Sequence, residues 1–97
     1  MTLGGVSKEM ASYSVLLKPS VEKDLRALPK SALKRVWAKI GALANDPTPS
    51  QSVKLSAAEA LFRVRVGDYR IIYAVDHPSK VVVIHYVRHR KDAYRSL

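Results

Sequence analysis

The sequence predicts an α+β fold, with two N-terminal helices packed on one face of a small, mostly antiparallel sheet. Three observations lead there. Residues 61–87 hold three strand-like runs separated by two tight turns. Residues 20–45 hold two stretches with apolar residues at helical spacing, each bounded by proline. The chain has 97 residues, enough for one domain, and its 47% hydrophobic content supports one modest core.

Residues 1–11 show no periodicity and are expected to be a disordered leader, leaving 12–97 as the domain. Tyr13 to Lys18 is a short strand candidate, stopped by Pro19-Ser20. Ser20 is a candidate N-cap, since its hydroxyl can accept an orphan N–H. Val21, Leu25 and Leu28 follow at i, i+4 and i+7, and Pro29 ends that helix. In the second helix Leu33, Val36, Trp37, Ile40 and Leu43 form one apolar stripe. Trp37 lies inside the stripe and reads as core, and the lysines of this helix read as a solvated face. Asn45 is a candidate C-terminal cap, and Pro47 and Pro49 prevent continuation. Residues 45–60 read as a long connection pinned to the core by Val53 and Leu55, with Lys54 just upstream of the strands.

In Leu61 to Val66 the residues alternate, so Phe62, Val64 and Val66 point one way and Arg63 and Arg65 the other. Gly67-Asp68 suits a two-residue hairpin. Tyr69 to Val75 is apolar on both faces apart from Arg70 and the tyrosine hydroxyls, which places it centrally. Val81 to Val87 is nearly all β-branched and reads as a second buried strand. Residues 88–95 then leave the sheet as a short basic tail. No remaining element covers the face carrying Arg63 and Arg65.

The charge balance narrows the function. Seventeen Lys and Arg stand against eight Asp and Glu, giving a net charge of +9. Eight of the basic residues fall between Arg63 and Arg95, against Asp68, Asp76 and Asp92. Such a surface attracts polyanions, chiefly nucleic acid or an acidic protein. The absence of cysteine excludes disulfides and thiolate metal sites. No apolar run approaches the ~18 residues of a membrane span and the N-terminus lacks a signal-peptide core, so a cytoplasmic protein is expected. No Gly-rich phosphate loop, Ser/His/Asp set or paired-His motif is present, and carboxylates are too few for two-metal chemistry. No metal or cofactor is expected.

What remains is arginine and tyrosine. Arg63, Arg65, Arg70, Arg90 and Tyr94 could converge on a phosphodiester, whose oxygens guanidinium forks match. On spacing alone the cluster reads first as a phosphate-binding face, with Lys54 and Lys91 at its margins, and second as a catalytic site. Arginine is a poor base, so Tyr94, Lys91, His89 and His85 stay open as proton-transfer candidates.

The segments FRVRVGDYRIIYAV at 62–75 and VVVIHYVRHRKDAYR at 81–95 resemble the RelE/ParE toxin superfamily, its RelE branch in particular. YSVLLKPSVEKDLRALP at 13–29 and Asn45-Asp46-Pro47 extend the resemblance over residues 12–95. It implies a RelE-like fold and a metal-independent, ribosome-dependent endoribonuclease that cuts mRNA in the A site. It also implies an acidic antitoxin partner, through which alone the toxin meets operator DNA, and no membrane. By position, Arg63 and Arg65 match two basic sheet-face residues, which are lysines in well-studied members. Arg70 matches the phosphate-stabilising arginine, Arg90 the C-terminal arginine proposed as general acid, and Tyr94 the tyrosine that stacks on a base or helps activate the 2′-hydroxyl. The spacing from Arg90 to Tyr94 is shorter than in some members. The alternatives are a ParE-like inhibitor of DNA gyrase without nuclease chemistry, and an inactive toxin serving only as the antitoxin's partner in repression.

Overall fold

Proline opens the first helix and separates it from the second. The computed structural model describes residues 2–3, 13–56 and 58–91. Helix α1 spans Pro19–Arg26 with Pro19 in its first turn, where a missing N–H costs nothing. Its cap is Lys18, without a side-chain hydrogen bond. Ser20, expected as the cap, is already helical, because the fixed φ of Pro19 starts the helix one residue earlier. Helix α2 spans Lys30–Ala42 and ends on Leu43, ahead of the expected Asn45. Val21 and Leu25 of α1, and Ala32, Val36 and Ile40 of α2, are buried. Trp37 is half-buried and packs against the core rather than within it.

The strands are β1 (Thr2–Leu3), β2 (Ser14–Leu17), β3 (Val53–Ser56), β4 (Leu61–Val66), β5 (Tyr69–Asp76) and β6 (Val81–His89). They form one sheet in the order β1-β2-β6-β5-β4-β3. Only β2 and β6 run parallel, with Leu17 beside Ile84. The meander β4-β5-β6 is as expected, and β5 is central. Thr2–Leu3 lies in the stretch expected to be a leader and pairs antiparallel with Leu16 and Val15. The rest of that stretch, and the tail from residue 92, lie outside the described residues. β3 lies in the expected connection and pairs antiparallel with β4. Val53, expected in the core, is 46% exposed on this edge strand.

Gly67 has φ +58°, the left-handed value that a hairpin turn with glycine first requires, and a side chain there would press on Arg35. The turn sets Val66 opposite Tyr69 and Arg65 opposite Arg70. Between β5 and β6 the register slips by one residue: Tyr73 pairs with Ile84 and Ile72 with Tyr86, leaving His85 as a bulge. Ile84 and Val87 therefore both face the helices, three positions apart, and both are buried. The bulge also extends pairing to His89, so Arg88 and His89 belong to the sheet and not to a tail.

The core lies between the helices and this face, centred on Val36, Ile40, Val64, Ile71, Tyr73 and Ile84, each fully buried. Tyr73 donates its hydroxyl to the Pro47 carbonyl at 2.7 Å, tying the connection to the sheet. Burial, reinforced by the Asp46 carboxylate and partly offset by Ser52, pushes its pKa from 10.0 up to about 12. The folded state thus excludes the phenolate. That preference is intact below pH 10 and is lost as pH rises from 10 to 12, costing about 2–3 kcal/mol in all. Tyr73→Phe should cost about 1–2 kcal/mol at neutral pH, because a buried carbonyl loses its donor. It should also abolish the alkaline fall in stability, which denaturant titrations on either side of pH 10 would register.

Candidate phosphate-binding face

Cross-strand partners share a face of a sheet. Arg65, Arg70 and Arg88 are successive partners on β4, β5 and β6, so one row of three arginines crosses the face opposite the helices. Two strand spacings put its ends roughly 10 Å apart. The next row holds Arg63, Ile72 and Tyr86. Like charges set directly opposite one another are destabilising unless an anion or carboxylate lies between them.

The side chains differ in their surroundings. Arg70 is 9% exposed, and its Nη1 is buried with no hydrogen-bond partner among the described residues. An uncompensated buried guanidinium donor is costly to fold, and it is a ready-made anion contact. Arg65 is exposed, its Nε 3.4 Å from the Gly67 carbonyl, and Arg63 is half-buried. Arg88 Nη1 donates to Asp24 Oδ2 at 2.6 Å, and its guanidinium carbon lies 4.7 Å from the centroid of the Tyr86 ring.

Arg90 sits at the hairpin tip. Its N–H donates to the Asp68 carbonyl at 2.6 Å, and its exposed side chain approaches the Asp68 carboxylate at 4.0 Å. Arg90 is thus at the end of the sheet where the Arg65–Arg70 pair lies. Lys91 is exposed just beyond it. Tyr94 lies outside the described residues.

Two expected members are placed elsewhere. Lys54 is the partner of Phe62, which is buried against the helices, so Lys54 is on the helix-packed side, 5.7 Å from the Phe62 ring. His89 is the partner of Tyr69 and meets its ring edge-on at 5.3 Å, with Tyr69 packed against the core. His89 is therefore turned away from the arginines. His85 stands in the bulge beside Tyr86, and burial, then the Lys18 charge, hold its pKa below 6.5. It is neutral at pH 7 and able to accept a proton.

Arg88 and Tyr86 were not singled out from the sequence. Arg88 looks like the first residue of a tail until the bulge is counted, since an unbroken alternation from Ile84 would point it toward the helices. A cleft of about 300 Å³ opens on the helix side between α1 and β6, with Asp24, Leu28, Tyr69 and Val87 in its walls. Arg88 borders both that cleft and the arginine row.

Two helices on one face of a six-stranded sheet, with a row of arginines on the other and no helix of the described residues over it, make this a small α+β domain with a basic second face. The family model for the ParE toxin of the type II toxin–antitoxin system parDE matches residues 15–94. Toxin RelE of Mycobacterium tuberculosis is 33% identical over 84 residues, covering 86% of this chain and 87% of that protein. A chain of the archaeal RelE–RelB complex from Pyrococcus horikoshii OT3 superposes with a TM-score of 0.75 at 33% identity, covering 81% of this chain and 96% of that one. A chain of the toxin–antitoxin complex RelBE2 from M. tuberculosis gives 0.70 at 31%, covering 81% and 99%. The chain belongs to the RelE/ParE superfamily of type II toxin–antitoxin toxins, in its RelE branch.

Proposed function

We propose that this toxin is a ribosome-dependent mRNA endoribonuclease that uses the RNA's own 2′-hydroxyl as nucleophile. The observation that carries this reading is Arg70, buried in a row of arginines on the face that no helix of the described residues covers, with a guanidinium donor unpaired among those residues. The 2′-oxygen attacks the adjacent phosphorus and gives up its proton. The bond to the 5′-oxygen breaks, that oxygen takes a proton, and a 2′,3′-cyclic phosphate remains. Arg70 and Arg65 stabilise the charge that builds on the non-bridging oxygens. Arg90, at the tip of the same hairpin, acts on the departing 5′-oxygen, and Arg63 and Lys91 hold flanking phosphates. Tyr94 stacks on a base or helps activate the 2′-hydroxyl, as the resemblance implies.

A neutralising partner follows from the same charges. Its structural neighbours include a chain of an archaeal RelE–RelB complex, and a chain of net charge +9 calls for an acidic antitoxin. Contact with operator DNA would come through that antitoxin, and the place of action would be the cytoplasm.

A message carrying a single 2′-deoxy substitution at a mapped cut should resist cleavage there, and unmodified message should yield cyclic-phosphate ends. Cleavage of the deoxy position would reject the 2′-hydroxyl mechanism. Tyr94→Phe should lower the single-turnover cleavage rate with ribosome binding unchanged, whereas an unchanged rate would leave only the stacking role. A supercoiling assay with gyrase separates the ParE-like alternative.

A further inference from the structure

The row of arginines does not stop at Arg70. We infer that Arg88, with Tyr86 beneath it, is a further RNA-contacting residue that grips the phosphate next to the reacting one, and that Asp24 positions it there. The inference rests on the phosphate-face reading above and extends it by one strand.

Three observations carry it. First, Arg88 is the register partner of Arg70, which is in turn the partner of Arg65, so the three side chains leave the sheet on one face in one line. A strand of RNA lying along that line meets the three guanidinium groups in succession. Second, Arg88 is committed on one side only. Its Nη1 donates to Asp24 Oδ2 at 2.6 Å and to the Val87 carbonyl at 3.2 Å. A guanidinium has five N–H donors, so one edge remains for a phosphate. Third, the guanidinium carbon lies over the Tyr86 ring, 4.7 Å from its centroid, which holds the cation against an aromatic face on the RNA side.

Asp24 explains how a long arginine side chain is held there. β2 pairs with β6 only as far as Ile84, so the edge of β6 beyond that point is open. Asp24 reaches this edge from α1 and accepts the Val87 N–H at 3.0 Å as well as Arg88. One carboxylate oxygen thus satisfies a strand-edge donor and anchors the arginine, whose side chain stays 31% exposed. Arg88 is a binding residue off the reacting phosphate, so its loss should raise KM more than it lowers kcat.

The test is fluorescence anisotropy of the full chain with a short single-stranded RNA, titrated at several salt concentrations. Each phosphate contact contributes about 0.7 to the slope of log affinity against log salt. We expect Arg88→Ala to flatten the slope by about 0.7 and Arg88→Lys to restore it, since a lysine keeps the charge. Asp24→Asn should leave the slope in place, since the cation remains, but weaken binding at each salt concentration, since Arg88 is no longer held in line, and lower Tm as well. If Arg88 serves only as the ion-pair partner of Asp24, Arg88→Ala and Asp24→Asn will lower Tm alike and the slope will not move, which overturns the inference. Arg70→Ala separates the shared face from the added contact: if it weakens binding and Arg88→Ala does not, only the Arg88 inference falls. If the wild type shows no salt-dependent RNA binding, the phosphate-face reading falls and takes the inference with it.

Discussion

Arg70→Ala should lower the cleavage rate by a factor on the order of 10²–10³, the usual cost of removing one preorganised donor to a developing oxyanion. Growth arrest on induction should disappear with it. The variant should fold. Wild-type Arg70 has a buried Nη1 without a partner among the described residues, so truncation removes a desolvated charge rather than a satisfied interaction. Arg70→Met is the sharper control, because it keeps the aliphatic stem that fills the space between Arg65 and Arg88. It should be as inactive as the alanine variant and at least as stable as the wild type. A well-expressed Arg70→Met chain that still arrests growth would remove Arg70 from the chemistry.

The largest loss of stability is expected at Ile84. This side chain is fully buried, and its strand is paired on both sides, parallel to β2 and antiparallel to β5. The Ile84 carbonyl also accepts the Lys18 N–H that leads into α1, at 3.1 Å. Both neighbouring strands are fixed by the ladder, so the site cannot collapse around a missing side chain. Ile84→Ala should therefore cost about 2–5 kcal/mol. For a domain of this size each kcal/mol lowers Tm by about 4–8 °C. Total stabilities of about 5–15 kcal/mol leave such a variant with little margin. Thermal melts followed by circular dichroism measure it, and a loss under about 1 kcal/mol would contradict the packing described for β6.

The placement of Arg63, Arg65 and Arg70 on one face was legible in the sequence because alternation and a two-residue turn are local signals. Phe62-Arg63-Val64-Arg65 fixes which face is basic, and Gly67-Asp68 fixes which arginine meets Arg70. The parts that were not legible depend on distant pairing. Val53-Lys54-Leu55 is too short to show a period, and it becomes strand β3 only because β4 offers an unpaired edge. Its register then sends Lys54 to the Phe62 side and leaves Val53 exposed, the reverse of the expectation. The run Val81 to Ile84 is apolar at every position, so it carries no phase, and the bulge at His85 that brings Arg88 into line with Arg70 leaves no local mark. The one available signal was the apolar pair Ile84 and Val87, spaced by three within a strand. Ser20 misled because an N-cap residue type next to a proline is overruled by the proline's own preference for the first helical turn.

The regions of the fold also differ in what they serve. The helix-packed face, with Tyr73 bonded to Pro47 and Phe62 stacked on Tyr73 at 5.8 Å, is conventional core. The opposite face holds aligned cations against their mutual repulsion, and it draws one fixed carboxylate, Asp24, at its edge. That stored repulsion is released when an anion arrives, so binding of polyanion should stabilise the fold.

Whether this toxin cuts mRNA on the ribosome is tested most directly by primer extension on a defined message after induced expression. The same message is then translated in a purified system and incubated in parallel without ribosomes. Cuts at fixed positions within codons should appear only when ribosomes are present and vanish with Arg70→Met. Growth arrest by the wild-type toxin with an intact message would contradict cleavage on the ribosome and turn attention to a protein target such as gyrase.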